Sequence, residues 1–493
     1  MSAASNSVPR LLREKLPPVE LRDLPKPRSL ALLVGPGVIM LATSLGSGEI
    51  YFWPGLTMKY GFLLLWPALI AFGLQYVLNT EFARYTVATG ETVITGFARL
   101  WRPLAWVFLA CSTLPWLWPG WSTGGATALS WVFGGRPEVI SAVSLLAIGV
   151  GLSGTRVVYR TVERVQMVLA ACIFVAIGFI ALLVVRLPTF QAFGQGLASV
   201  PTALPADLDI ATLLAALAFC GAGGSINLAT SHWVRDKGFG MGNRVPKVTS
   251  PLTGEVISVA SGGFFFEPSS KNLERWAAWW RLMRREQLIT FLGLGSIALI
   301  TLMLIAHALL FGRDLDIGME MLRVEGTVVP GGERGLVSTV FYLAVAAIFF
   351  TSALGVLDHV ARLAADIFKT NAARIRRSNS RYLSESALYF YVLWAMIAFA
   401  ISVLFVANIR DTPTLLEIAG SLSGIVMFLY SGLTILLMRR LAADVEKADR
   451  RFIGHNPFRL PLWRLTALVV AVLFYGGFST LLVVNTVRRF LGS

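Results

Sequence analysis

The chain has 493 residues, of which 55% are hydrophobic and only 14% are charged, and its mean hydropathy is +0.67. Soluble domains are about 45–50% apolar and about 25% charged, so this composition excludes an ordinary soluble protein and indicates the membrane class. The net charge of +15 lies in loops between apolar segments, which argues against a nucleic-acid-binding domain.

A membrane-spanning helix needs about 20 mostly apolar residues. The sequence predicts eleven such spans, at 31–57, 62–83, 104–132, 138–153, 163–186, 208–233, 286–311, 336–361, 386–407, 413–438 and 463–487. The alternation over ~10 residues that is typical of barrel strands does not occur. We therefore expect an all-α polytopic membrane protein.

Residues 1–29 are polar and proline-rich and lack the apolar core of a signal peptide, which predicts a flexible cytoplasmic tail. If the eleven spans alternate from a cytoplasmic N-terminus, 34 of the 43 lysines and arginines lie in or next to the inner segments. The positive-inside rule then predicts a cytoplasmic N-terminus and an external C-terminus. We expect a multi-pass protein of the plasma membrane.

Two glycine clusters interrupt the apolar spans. Gly46 and Gly48 lie near the middle of span one, and Gly221, Gly223 and Gly224 lie near the middle of span six. Each glycine weakens a helix by about 1 kcal/mol relative to alanine, and unwound backbone in a bilayer must bind something or line a cavity. Close helix packing is the alternative explanation.

The two clusters are five spans apart, which is the spacing expected of two inverted repeats that each begin with a broken helix. The sequence then divides into a first repeat at 30–186, a second repeat at 207–438 that contains a cytoplasmic insert at 236–285, and an eleventh span at 460–488. A transport site is expected where the two broken helices meet.

The start of the chain's apolar part is similar to that of a known family. The "GPG" at Gly35 to Gly37 is followed after eight residues by the break, and span two ends in "LQYVLNTEFARYTVATGE". These stretches resemble the first two helices of the natural resistance-associated macrophage protein (Nramp) family of divalent-metal transporters. The resemblance implies a LeuT-like 5+5 inverted repeat with broken helices one and six, and eleven or twelve helices in total.

The resemblance also implies a metal site, at which this chain departs from the family. The family binds metal through the Asp and Asn of an Asp-Pro-Gly-Asn motif in helix one, and through the Met of a Met-Pro-His motif and a carbonyl in helix six. Here Gly46 stands in place of the Asp and Glu49 in place of the Asn, and span six offers no Met at the aligned positions. Loss of the thioether removes the ligand that favours soft metals.

An oxygen-only set of groups remains, which suits a hard, partly hydrated cation such as Mg²⁺ or Ca²⁺, and also a monovalent or organic cation. The candidate binding residues are Ser44, Gly46, Ser47, Gly48, Glu49, Cys220, Gly221, Gly223, Gly224, Ser225 and Asn227. Glu49 and Asn227 are the candidate metal ligands. The alternatives for Glu49 are a structural ion pair and a carboxyl that burial keeps protonated.

Later spans carry further polar groups. Asp358, Arg362 and Asp366 share one helix face in span eight, which indicates either a self-paired stripe or an inner gate. Ser421 and Ser423 in span ten are weaker site candidates, because helix ten of the resembled family approaches the ion. Span three contains no acidic residue, and the isolated His232 of span six lies near Asp236, where a helix-end pair is expected. The sequence therefore does not favour proton coupling in that family's manner.

Two elements are predicted within the insert. "EVISVASGGFFFE" predicts a β-hairpin around Ser261 to Gly263. "LERWAAWWRLMRREQ" places Trp276, Trp279, Trp280 and Met283 on one face of an amphipathic helix, which we expect to lie on the inner leaflet.

The leading hypothesis is membrane transport of a cation, with a divalent metal ion preferred. The alternatives are a transporter of an amino acid or amine with the same fold class, and a transport-inactive relative. No phosphate-binding loop, nucleophile elbow or His-Glu metal motif occurs, so we expect neither an enzyme nor a cofactor. The expected partners are the transported ion or solute and the lipid bilayer, with no nucleic acid; the sequence indicates no oligomeric state.

Overall fold

The structure is a computed structural model that describes residues 8–27, 35–198, 204–249, 262–372, 375, 380–407 and 412–491. The side chains of 46–47, 381, 412–414, 417–418 and 485–491 lie outside the described part. Two short strands, β1 (Glu20–Leu21) and β2 (Phe264–Phe265), form a parallel pair, and nearly all other elements are helices.

The helices of the first half are α1 (Arg10–Arg13), α2 (Pro36–Ser44), α3 (Trp53–Tyr60), α4 (Leu65–Thr89), α5 (Val93–Leu100), α6 (Leu104–Thr113), α7 (Gly120–Phe133), α8 (Pro137–Ser153), α9 (Val158–Val184) and α10 (Leu187–Ala198). Those of the second half are α11 (Ile210–Ala218), α12 (Gly224–Lys237), α13 (Ser270–Gln287), α14 (Gly295–Leu310), α15 (Met319–Thr327), α16 (Leu336–Asn371), α17 (Glu385–Phe405), α18 (Thr412–Ala448) and α19 (Leu462–Leu491). Short 3₁₀ turns lie at Leu114–Trp116, Gly240–Arg244, Arg381–Leu383 and Arg450–Phe452.

Each of the eleven predicted spans overlaps helix, but fewer helices satisfy a span criterion alone. Within the described residues, six helical stretches are long and apolar enough to cross a membrane: Val158–Val184, Ser270–Leu310, Leu336–Asn371, Glu385–Phe405, Ala419–Ala448 and Leu462–Val484. The pair Leu104–Phe133 and Pro137–Ser153, which is bent by 118° at the break between them, is a seventh if it is counted as one span. Spans one, two and six carry more polar residues, and the count of eleven stays a prediction.

Span one is not broken as the sequence predicts. A π-helical segment, Leu45–Phe52, joins α2 to α3 without an intervening coil, so the helix is widened rather than interrupted at Gly46 to Gly48. A π turn accommodates an extra residue while it keeps backbone hydrogen bonds, which relieves the cost of weak helix formers without exposing the chain. The expectation of an unwound segment in span one is therefore wrong.

Span six does break, as predicted. Helix α11 ends at Ala218, and α12 begins at Gly224 after five residues of non-helical backbone. Gly221, Gly223 and Gly224 have φ values of 90°, 52° and 49°. Side-chain-bearing residues avoid this left-handed region, so the glycine cluster is required by the path of the chain.

The tail is not a free chain, at least over residues 8–27. Leu12 and Leu24 are fully buried, and β1 pairs with β2 of the insert, with Glu20 opposite Phe264. We call the side of the molecule that carries the tail, β2 and α13 the N-terminal face. Phe264–Phe265 pair with the tail. The first strand of the predicted hairpin, within 255–260, lies outside the described residues, so the hairpin stays a prediction.

The aromatic face of α13 lies against protein rather than lipid. Trp279 is 1% exposed, and its indole N–H donates to the Pro25 carbonyl at 2.8 Å. Met283 is fully buried, and Trp276 stacks on Phe266. The amphipathic pattern predicts this helix correctly, but the face that was expected to meet lipid packs against the tail and β2.

Candidate functional site

One side chain from α4 satisfies the broken backbone of span six. The Gln75 amide nitrogen donates to the Cys220 carbonyl at 2.5 Å, and the Gln75 oxygen accepts the N–H groups of Ala222 at 3.0 Å and Gly223 at 3.1 Å. Gln75 is fully buried. Unpaired backbone groups away from water cost several kcal/mol each, so Gln75 stabilises the break in this one conformation.

Glu49 meets the same break from span one. It is fully buried, and its Oε1 accepts the N–H of Gly221 at 3.0 Å. Among the described residues its other oxygen, Oε2, has no hydrogen-bond partner, and no lysine or arginine forms an ion pair with it. A buried carboxylate normally has a paired cation, so this oxygen is available to a positive charge that is not part of the chain.

Gly48 allows this approach. A Cβ atom on Gly48 would lie 1.9 Å from the Phe219 carbonyl oxygen, far inside any contact distance. The π segment of span one therefore packs directly on the backbone of the span-six break. Only glycine at this position permits such contact.

The structure brings together some of the predicted binding residues. Gly48 packs on the backbone of Phe219, Glu49 accepts from the Gly221 N–H, and Gly223 continues the same break. Ser44 donates instead to Leu41 of its own helix at 2.8 Å. The side chains of Gly46 and Ser47 lie outside the described residues.

Asn227 and the span-ten serines stand around the first turn of α12. The Asn227 amide donates to the Tyr430 hydroxyl at 2.6 Å, and within the described part its Oδ1 has no partner. Ser423 is buried with an equally unpartnered hydroxyl, and a Cβ on Gly224 would lie 2.5 Å from that oxygen. Ser421 is half-buried on the same helix as Ser423. Two neutral oxygens with free lone pairs thus belong to this region.

A buried histidine that the sequence did not single out lies beside Ser225. The His359 Nδ1 is 3.1 Å from the Gly355 carbonyl, and the Ser225 hydroxyl is 3.1 Å from Nε2. The carbonyl requires a donor, so Nδ1 carries the proton and Nε2 accepts the hydroxyl. Trp116 packs edge-on against the imidazole, with ring centroids 5.0 Å apart. The signal was present in "LDHVAR", but the charged pattern around it obscured it.

The π segment has its own partner in α16. The Ser352 hydroxyl donates to the Thr43 carbonyl at 2.5 Å, one turn before Gly46. Thr43 lies near the end of α2, two residues before the π segment begins at Leu45, so Ser352 holds the entry to this segment. The widened turn is thus supported by a side chain from another helix.

The charged stripe of span eight pairs between helices as well as along its own. Arg362 donates to both oxygens of Asp358, at 2.9 and 2.8 Å, and to Asp236 of α12. Arg235 binds Asp366 at 3.1 Å and Glu385 at 2.5 Å. We call the buried group Arg235, Asp236, Asp358, Arg362, Asp366 and Glu385 the ionic network.

His232 joins the edge of the ionic network. Its Nε2 lies 3.4 Å from the Asp366 carboxylate, and both residues are buried. The sequence placed Asp236 beside this histidine, but Asp236 faces Arg235 and Arg362. The helical spacing could not distinguish these partners, since the partner of His232 comes from α16.

The side chains at the span-six break limit the kind of cation that this region suits. Among the described residues, no cluster of three or more His, Cys, Asp and Glu side chains could hold a metal ion. Within the described residues the contacts of Glu49 bring no second acidic side chain to it, so a cation beside it would meet one carboxylate and would complete its shell with neutral groups or water. Such a set suits a hard ion that keeps part of its water shell.

Comparison with known proteins bears on the fold. No protein-family model and no curated protein matches the chain. A structure of a variant of the Eremococcus coleocola manganese transporter superposes with a TM-score of 0.67 at 15% identity, over 96% of this chain and 91% of that one. The same transporter in complex with an aromatic bis-isothiourea substituted compound gives a TM-score of 0.64 at 15% identity, over 98% and 92%. The resemblance seen in the sequence is thus confirmed at the level of the fold, which this chain shares with the solved manganese transporter.

Proposed function

We propose that this chain transports a metal cation across a membrane, with a hard divalent ion as the preferred cargo. The observation that carries the proposal is Glu49, a buried carboxylate whose Oε2 has no partner among the described residues and which touches the one broken backbone between α11 and α12. An ionisable group at such a position is costly and is a functional candidate by default.

Several further features belong to the proposal. The spans number eleven, ten of them form a LeuT-like 5+5 inverted repeat at 30–186 and 207–438, and transport proceeds by alternating access. The N-terminus is cytoplasmic, the C-terminus external, and the membrane is the plasma membrane. The positive-inside rule supports the orientation. The widened π turn of span one and the break of span six, five spans apart, support the repeat.

The nature of the free ligands supports a hard cation. Besides Glu49 Oε2, the unpartnered oxygens of Asn227 and Ser423 are neutral and hard. Cys220 does not offer a free thiolate as a soft ligand, since its thiol donates to the Ala68 carbonyl at 3.2 Å. Mg²⁺, Ca²⁺ and Mn²⁺ accept oxygen ligands and water together.

The organic-solute alternative is less well supported. A substrate carboxylate would need free N–H groups at the break. Those of Gly221, Ala222 and Gly223 are already bound by Glu49 and Gln75. An amino acid would have to displace both side chains.

The test is ion uptake into proteoliposomes that contain the purified protein. Wild-type protein should take up Mg²⁺, Ca²⁺ or Mn²⁺, and Glu49→Gln should reduce the rate at least about 100-fold, since loss of even a supporting group at a metal site costs ~10–100-fold. Glu325→Gln is the matched control, because Glu325 is also a buried acid with an unpartnered oxygen but belongs to α15.

Each result has a defined meaning. Uptake that survives Glu49→Gln rejects the role of this carboxylate. Uptake of amino acids alone decides for the organic-solute alternative, and no uptake of any of these by folded protein decides for a transport-inactive relative. Equal losses in Glu49→Gln and Glu325→Gln would indicate a general effect of buried acids.

A further inference from the structure

A cluster of arginines surrounds one tryptophan on the N-terminal face, away from the span-six break. The guanidinium carbons of Arg84, Arg464 and Arg284 lie 4.1, 4.9 and 5.1 Å from the centre of the Trp280 ring. These residues come from three different helices, α4, α19 and α13. We call them, together with Glu81, the arginine cluster.

The arginine cluster carries more positive than negative charge. Glu81 is the acidic member of the cluster: it binds Arg464 and lies 3.2 Å from Arg84. Two guanidinium groups thus share this carboxylate, and within the described residues the third, that of Arg284, forms no ion pair with an acid. Arg464 is 1% exposed and Arg84 is 3% exposed, so water cannot fully compensate the surplus. Buried charges are normally paired, and cation–π contact with Trp280 contributes only about 0.5–2 kcal/mol.

Some of the donors are still free. In the described part of the chain, neither Arg464 Nη2 nor Arg284 Nε has a hydrogen-bond partner, and both atoms are buried. Other donors of the cluster have partners: Arg464 Nη1 binds Thr80 at 2.9 Å, and Arg84 Nη1 binds the Arg459 carbonyl at 3.1 Å. A planar guanidinium with free N–H groups is suited to the oxygens of a phosphate.

The surroundings of the arginine cluster point to a lipid. Leu462 and Trp463, at the start of α19, are 79% and 54% exposed, and Leu288 and Ile289, just after α13, are 48% and 54% exposed. Both stretches belong to candidate membrane spans. Tryptophan beside arginine and exposed aliphatic side chains is typical of the membrane–water interface, where phosphates of lipid headgroups lie.

We propose that the arginine cluster around Trp280 binds the phosphate of an anionic lipid headgroup from the leaflet at the N-terminal face. The phosphate oxygens accept from Arg464 and Arg284, and the acyl chains lie along the exposed apolar side chains of α19. Because α4, α13 and α19 all contribute, the bound lipid holds the last helix against the rest of the molecule.

The experiment measures thermal stability and lipid retention of the full-length protein in a neutral detergent. Dioleoylphosphatidylglycerol should raise the melting temperature and remain bound in native mass spectra, and dioleoylphosphatidylcholine at the same mole fraction should do so much less. Arg284→Gln should weaken the apparent affinity for the anionic lipid about tenfold, the loss expected for one charge-assisted contact to phosphate. Arg284→Lys keeps the charge but loses the planar guanidinium. Its apparent affinity for the anionic lipid should lie between those of the wild type and Arg284→Gln.

Arg281→Gln is the matched control, since Arg281 is an exposed arginine on the same helix and the substitution changes the net charge equally. Its effect on affinity should be less than about twofold, as expected for an exposed charge. Equal losses in Arg281→Gln and Arg284→Gln would show diffuse attraction and overturn the site. Inorganic phosphate as the third arm should stabilise weakly; stabilisation by phosphate without any by the lipid would overturn the lipid assignment. Failure of both ligands to bind would overturn the proposal as a whole.

Discussion

The span-six break and the ionic network are both buried and both polar, yet the two regions differ in how their charges are compensated. In the ionic network each arginine contacts two or more carboxylates, as Arg362 does with Asp358 and Asp236. At the break, Glu49 has only the Gly221 N–H for one oxygen and nothing within the described residues for the other. A carboxylate whose charge is compensated by the fold is structural, whereas one left uncompensated is where a mobile cation can bind.

The strongest test of this contrast removes an arginine from the ionic network. Arg362→Met leaves Asp358 and Asp236 buried without their main cation, which should lower the free energy of unfolding by about 3–5 kcal/mol. The measurement is the melting temperature in detergent. Glu49→Gln should leave the same quantity unchanged or raise it, because it removes an uncompensated charge.

Arg362→Lys serves as the control, since it retains a cation but not the separate Nε and Nη1 donors that bind Asp358 and Asp236, and it should recover part of the loss. If Glu49→Gln were as destabilising as Arg362→Met, Glu49 would belong to a structural pair, and the distinction between the two regions would be lost.

The second prediction concerns the contact between span one and the break. Gly48→Ala places a Cβ 1.9 Å from the Phe219 carbonyl oxygen and 2.5 Å from its carbon, so backbone must move. Overpacking of this kind costs about 1–3 kcal/mol, and the displaced break should also lower uptake about tenfold or more. Proteoliposome uptake and melting temperature measure the two effects.

Gly73→Ala is its matched control. Gly73 lies in α4, and a Cβ there would meet nothing within 4 Å. The substitution should be neutral or stabilise by up to about 1 kcal/mol, since alanine favours helix. If Gly48→Ala were equally well tolerated, close packing of span one on the break would not be required for transport.

The sequence predicted the positions of the helices because hydropathy is a local average that does not depend on how the helices pack. It predicted the break in span six because three glycines within four residues destabilise a helix, and such a cluster is visible in the sequence. It did not predict the π segment of span one, since the same glycine signal fits a widened turn as well as an unwound one. Ser352, which supports the turn, comes from a distant helix.

Partners that depend on tertiary structure were also missed. The apolar stripe of α13 fits a membrane surface and a protein surface equally, and only the fold shows that Pro25 covers Trp279. His359 lies one residue after Asp358, and nothing local distinguishes a histidine that faces Ser225 from one in a charged stripe. Spacing along one helix fixes which side chains share a face but not what another helix brings to it.

The smallest effect is expected where charges are paired at the surface, which sharpens the contrast with the ionic network. Asp23 of the tail lies 3.0 Å from Lys271 of α13, and the two side chains are 56% and 60% exposed. Hydrogen bonds from Lys271 and Asn272 lower the pKa of Asp23 below its ordinary value. Asp23→Asn should therefore cost only a few tenths of a kcal/mol, an effect that added salt should remove.

The pH dependence of this pair has a defined sign. A carboxyl with a lowered pKa in the folded state contributes stability above its unfolded value of about 3.9 and loses it as the pH falls through the folded pKa. The difference in melting temperature between wild type and Asp23→Asn should thus be constant from about pH 8 to pH 5 and shrink only in stronger acid. A difference as large as that of Arg362→Met would mean that the tail holds the molecule together through this pair, and that exposure does not separate weak pairs from strong ones here.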